Sequence, residues 1–307
     1  MSAQWVAGNV RARALLNRRL GAGRARALAA MSSLTDAQHA LAGGPYGRNI
    51  AVGQSGGDTD HAVYSALLWH LRVLAGWQPG QGARAIRALA AGFEAANITA
   101  HARRLGGAPA LPPYALGALA TASSRLCEAS SLDQLRAALA HSTWGDPGSE
   151  SPSDIALAAQ ISWAVRVATS VEEASSWASA WLALQVARRR LVERRGMPEP
   201  AEVRARAVLG AGAGAAGGIA AFADAVPARA RWVFDGVTDA ADLWRAEARW
   251  WSRVEADGLS LLGRAGFSRA RTVGAVAVLA ADAWRCRAAL RLAARGGGPM
   301  DVYDVVA

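Results

Sequence analysis

Apolar residues recur along this chain with the period of a helix and almost nowhere with the period of a strand. Val63, Leu67, Leu71 and Leu74 are spaced four, four and three apart, which places them on one helical face. The Asp58-Thr59-Asp60 triplet ahead of them is a helix start signal. Leu243, Trp250 and Val254 make a second stripe, widened by Trp244 and Trp251. A third runs through Val273, Val276, Ala280, Trp284, Ala288 and Leu292, on a helix predicted to span about 23 residues, or about 35 Å. Only 207–209 and 232–234 have the character of strands, and both are very short. Glycine and proline gather at 43–58, 106–113, 145–152, 196–200, 210–218 and 296–299, where they mark helix ends and loops. The pattern predicts an all-α protein.

Two segments of the chain repeat each other. "SSLTDAQHALAGGPYG" at 32–47 aligns without gaps with "SSLDQLRAALAHSTWG" at 130–145, an offset of 98 residues. Both carry Ser-Ser-Leu, Ala-Leu-Ala and a final glycine preceded by an aromatic ring, Tyr46 or Trp144. A basic helix end followed by glycine also recurs, at Gly106, Gly196 and Gly296. A period near a third of the chain implies three related helical units. The first Ser-Ser-Leu block precedes any long helix, and the last long-helix block, 237–298, has none after it. The simplest repair lets the N-terminal segment complete the C-terminal unit. The expected units are 56–147, 148–236, and 237–307 plus 1–55, arranged with pseudo-threefold symmetry around a depression.

Composition adds charge to this picture. Of the 307 residues, 52% are apolar, enough for a sizeable core, and the 34 basic residues are all arginine. The formal charge of +10 suits an acidic protein, an anionic lipid surface or nucleic acid, and no nucleic-acid fold signature accompanies it. Arg245, Arg249 and Arg253 share one helix face, as do Arg287, Arg291 and Arg295; each set reads first as a solvated face and second as a docking stripe. Cys127 and Cys286 are too few for a disulfide framework. The N-terminus is interrupted by arginines and is not expected to act as a secretory signal. No run is long and apolar enough to predict a bilayer span. The tail after Pro299, "MDVYDVVA", is short and acidic.

The tempting chemical motifs are weak. Gly212, Gly214 and Gly217 spell G-x-G-x-x-G, and Asp235 follows at a plausible distance for a nicotinamide- or flavin-dependent oxidoreductase. Such a site needs a strand before the turn and a parallel sheet around it, and three residues of candidate strand are too few; an interhelical turn is the preferred reading. Asp58 and Asp60 with His61 read as a helix N-terminus rather than a metal fragment. Ser32-Ser33 and Ser130-Ser131 read as caps, not nucleophiles. The sequence predicts no catalytic residue, no cofactor and no metal.

The order of these blocks resembles one family, the adaptor between central stalk and rotor ring in V-type and archaeal-type (V/A-type) rotary ATPases. The resemblance rests on "WVAGNVRARALLNRRL", with Trp5, Asn9, Arg11, Arg13, Leu15 and Leu16, and on the first block ending at Tyr46. It continues through "FEAANITAHARRLGG", with Glu94, Asn97, Arg103 and Arg104, and the final long helix with its basic end and acidic tail. It covers the whole chain diffusely. The resemblance implies a helical funnel without catalytic residues, which passes torque between the central-stalk subunits and the membrane proteolipid rotor ring during proton or sodium transport. It implies a peripheral place on the cytoplasmic face of the membrane. Candidate partner-interface residues are Asn97 and His101, Arg190 and Arg194, and Arg287 and Arg291, on the comparable helices of the three units.

Overall fold

A computed structural model describes residues 3–214 and 217–299 of the chain. Among the described residues there is no strand; the protein is all-α. In chain order the helices are α1 (Val6–Leu16), α2 (Gly21–Ala29), α3 (Leu34–Ala42), α4 (Gly56–Gly76), α5 (Gly80–Leu105), α6 (Ser123–Cys127) and α7 (Leu132–Ala140). There follow α8 (Pro152–Ser170), α9 (Ser175–Ala187), α10 (Glu199–Leu209), α11 (Ile219–Ala225), α12 (Ala228–Arg231), α13 (Leu243–Gly263) and α14 (Arg269–Ala293). The two segments considered for strands are the last turn of α10 and a 3-10 turn at Trp232–Phe234. The acidic tail and Ala215–216 of the glycine run lie outside the described residues.

Contacts group the chain into two compact units. One comprises Met1–Ile86, Tyr114–Ala118 and Trp251–Ala307; the other comprises Arg87–Pro113 and Leu119–Trp250. These boundaries differ from those at 55, 147 and 236 expected from the sequence.

In the first unit α14 is the central helix, packed against α1, α2, α3 and α4. Thr272 through Leu279 are all buried without interruption. The stripe read from the sequence is therefore too narrow: a helix buried on every side loses its amphipathic period. Glycine permits the closest approach, because a Cβ on Gly274 would stand 2.6 Å from the carbonyl oxygen of Gly258.

In the second unit α8 and α9 form the most extensive pair, with α10 against α8 and α12 against α9. A separate core joins the later turns of α5 to α6, α7 and α8 through Ile98, Leu126, Leu135, Trp144 and Ile155. Each fully buried side chain of this size contributes about 1.5–3 kcal/mol.

Two helices, α3 and α4, begin at serine caps that the sequence supplies. Ser33 and Ser55 accept the backbone N–H of Asp36 and Asp58, and in return each aspartate's carboxylate accepts the serine hydroxyl at 2.6 Å. The metal-like Asp58 and Asp60 thus stand in the first turns of α4. The repeated blocks fold alike: α3 and α7 are each nine residues long, at the same offset of 98. Each block ends in a buried aromatic, Tyr46 or Trp144. Only glycine fits after Tyr46, since a Cβ at Gly47 would lie 2.1 Å from the Ala42 carbonyl oxygen.

Candidate functional site

Two buried carboxylates define the most organised polar geometry in the chain. On α14, Asp282 is fully buried and accepts the backbone amides of Leu20 and Gly21 at 2.8 and 2.7 Å. On α5, Glu94 is 1% exposed and accepts the amides of Thr121 and Ala122 at 2.9 and 2.7 Å. In both cases a fork of two oxygens takes two consecutive N–H groups at the start of a short helix, α2 or α6. The Leu20, Gly21 and Ala122 amides belong to the set a helix cannot satisfy by itself, and a carboxylate suits the positive end of the helix dipole. The short helix is then followed by the repeated block, α3 or α7. The Tyr46 hydroxyl closes the first arrangement by donating to Asp282 at 2.8 Å. Burial, and then the charge of Asp282, push the Tyr46 phenol well above its usual range.

The six candidate interface residues fall into separate surroundings. Arg287 and Arg291 lie in the first unit, where both pair with Asp60 of α4, at 3.1 and 2.9 Å. Arg287 also donates to the Tyr64 hydroxyl. Burial raises the pKa of Asp60, opposed by these two arginines. Their stripe on α14 is thus a tether between helices of one unit.

Asn97 and His101 lie in the second unit, on one face of α5, and both are nearly buried. They line a shallow cleft with Glu94, Arg104 and Cys127. Arg104 can only donate, so the Nδ1 of His101 accepts from it at 2.6 Å. The ring proton therefore sits on Nε2 and is donated to the Ala129 carbonyl at 2.9 Å. Burial lowers the pKa of His101, with Arg104 adding to the effect and the Ala129 bond opposing it.

Arg190 and Arg194 do not share the face that their spacing implies. A π-helical turn over Arg188–Val192 ends α9, and Arg194 lies beyond it with φ of 52°. Arg194 is exposed, and among the described residues it meets no hydrogen-bonding or ionic partner. Arg190 points to the glycine run: it donates to the Gly214 carbonyl at 2.6 Å and to Glu202 at 2.9 Å. Beside it, Arg189 is 4% exposed and joins Asp154, Glu193 and the Gly196 carbonyl.

The same contacts answer the dinucleotide reading. Gly212–Gly214 is a 3-10 turn that follows the helix α10, not a strand. The Gly214 carbonyl is occupied by Arg190, and the Glu202 carboxylate stands 3.3 Å from where a Cβ on Gly214 would be. Gly217 is exposed and lies outside that turn.

Among the described residues no cluster of histidine, cysteine, aspartate and glutamate has the grouping of a metal site, and no helix is long and apolar enough to cross a membrane. Compared with known proteins, the chain matches no family model and no curated sequence.

Proposed function

We propose that this chain is a non-catalytic coupling component of a V/A-type rotary ATPase, standing between the central stalk and the proteolipid ring on the cytoplasmic side of the membrane. The observation that carries the reading is the recurrence of one construction. A long helix bears a buried carboxylate, the carboxylate holds the start of a short helix, and a nine-residue helix ending in a buried aromatic and glycine follows. The family that the sequence resembles implies repeated helical units. Torque transfer asks for stiffness rather than chemistry. Close-packed helices transmit strain, and forked carboxylates fix the short helices to the long ones.

The test is isolation of the tagged chain from detergent-solubilised membranes of its own source cells. The proposal predicts that stalk subunits and the proteolipid are recovered with it in fixed ratio, together with ATP hydrolysis. Recovery of the chain without any other rotary-ATPase component contradicts the proposal.

A further inference from the structure

The N-terminal part of the first unit concentrates positive charge beside exposed aliphatic side chains. Arg11, Arg13, Arg18, Arg19, Arg24 and Arg26 all precede the first acidic residue of the chain, Asp36. Helix α1 buries Asn9, Ala12, Leu15 and Leu16. Its opposite face is not the polar one expected of a surface helix. Val6, Val10, Arg13 and Asn17 follow at spacings of four, three and four, and all are exposed. Val10 is 58% and Val6 41% accessible.

Next to α1 on α4, Trp69 is exposed and lies under the Arg48 guanidinium, 4.6 Å from the ring centroid. The neighbouring His70 has its pKa lowered by burial and then by the positive charges of Arg11, Arg18 and Arg48. Arg11 keeps a buried Nε without a partner, and no ion pair neutralises Arg13, Arg18 or Arg48 among the described residues.

We propose that the outward face of α1, with Arg18, Arg48 and Trp69, docks on an anionic phospholipid bilayer. Valines in line with Arg13 and flanked by further arginines call for an occupant that offers an apolar layer and an anionic layer side by side. A bilayer interface offers both over any area: acyl chains receive Val6 and Val10, headgroup phosphates receive the guanidinium groups, and tryptophan sits at the boundary. A phosphodiester backbone satisfies the arginines and leaves the valines in water. This inference stands apart from the coupling reading, because it is tested on the chain alone.

The experiment is co-sedimentation of the full chain with vesicles of phosphatidylcholine alone and with about a third phosphatidylglycerol, where each basic residue near the surface contributes appreciably to binding. Binding is expected to the anionic vesicles only, and to weaken as salt rises. The triple variant Arg13→Glu, Arg18→Glu, Arg48→Glu is expected to bind at least about tenfold more weakly. Val10→Asp is expected to weaken binding as well. The control Arg103→Glu, Arg125→Glu, Arg264→Glu changes net charge equally, at exposed arginines elsewhere, and is expected to keep most of the binding. Circular dichroism checks that every variant is folded.

Three results overturn the proposal: no binding to anionic vesicles, equal loss in both triple variants, or a Val10→Asp protein that binds as tightly as the parent. So does a patch that retains a duplex DNA oligonucleotide while ignoring vesicles.

Discussion

Asp282 accepts two backbone amides and one phenol in a place closed to water. Asp282→Ala strands all three donors. At about 1–3 kcal/mol for each stranded group, the predicted loss of stability is at least about 3 kcal/mol. Tyr46→Phe removes one bond and leaves the fork intact, so the predicted loss is about 1 kcal/mol. Urea denaturation of the two variants measures both values, and equal losses would deny the fork its role. The cysteines make a second pair. Cys127 is exposed, whereas Cys286 is buried, and burial followed by the charge of Asp282 pushes its thiol well up. Mass spectrometry after brief alkylation of the native protein is expected to find Cys127 modified and Cys286 intact. The sequence showed Asp282 as one acid on an apolar helix, but its amide partners lie 262 and 261 residues away. No local spacing reveals such a pair. Glu94, quoted for the family resemblance, was legible as a residue but not as a clamp.

Among the helices, one of the two serine caps in the repeated blocks was readable, and one helix end was not. Ser33 and Ser131 look equivalent in the repeated blocks. Ser33 bonds the amide of Asp36, whereas Ser131 makes no capping bond to the backbone. Ser33→Ala is therefore predicted to cost about 1 kcal/mol, and Ser131→Ala measurably less, by thermal unfolding. The run of arginines after Ala187 continues a helical pattern on paper, yet the chain forms a π-helical turn and then places Arg194 in the left-handed region. Arg189 gives the physical reason, because its buried guanidinium is tied to Asp154, Glu193 and the Gly196 carbonyl. Glycine is at ease where Arg194 sits, so Arg194→Gly is predicted to stabilise the protein by about 1 kcal/mol. Unchanged or lower stability would contradict that account of the helix end.

For the chain as a whole, helical class was plain in the periodicity, and the repeated block was plain in the alignment at 98 residues. The grouping into compact units was not, because long helices such as α5 and α13 carry residues of both units. A helical period says nothing about which face meets which neighbour. Two histidines contribute to one global property. His70 and His101 both have pKa values lowered by burial and nearby arginines. Below the ordinary value of 6.5 the unfolded chain binds more protons at these sites than the native one, so stability falls as pH falls through that range. His101→Gln is expected to flatten this acid-side loss, as read from denaturation midpoints between about pH 5 and 8. A slope as steep as the parent's would leave the loss to other groups.

Torque transmission is the heart of the coupling proposal, and ion transport by inverted membrane vesicles probes it. Vesicles from cells lacking this chain should hydrolyse ATP without building an ion gradient, and adding the purified chain back should restore the gradient. Gradient formation that proceeds equally well without the chain would contradict the account.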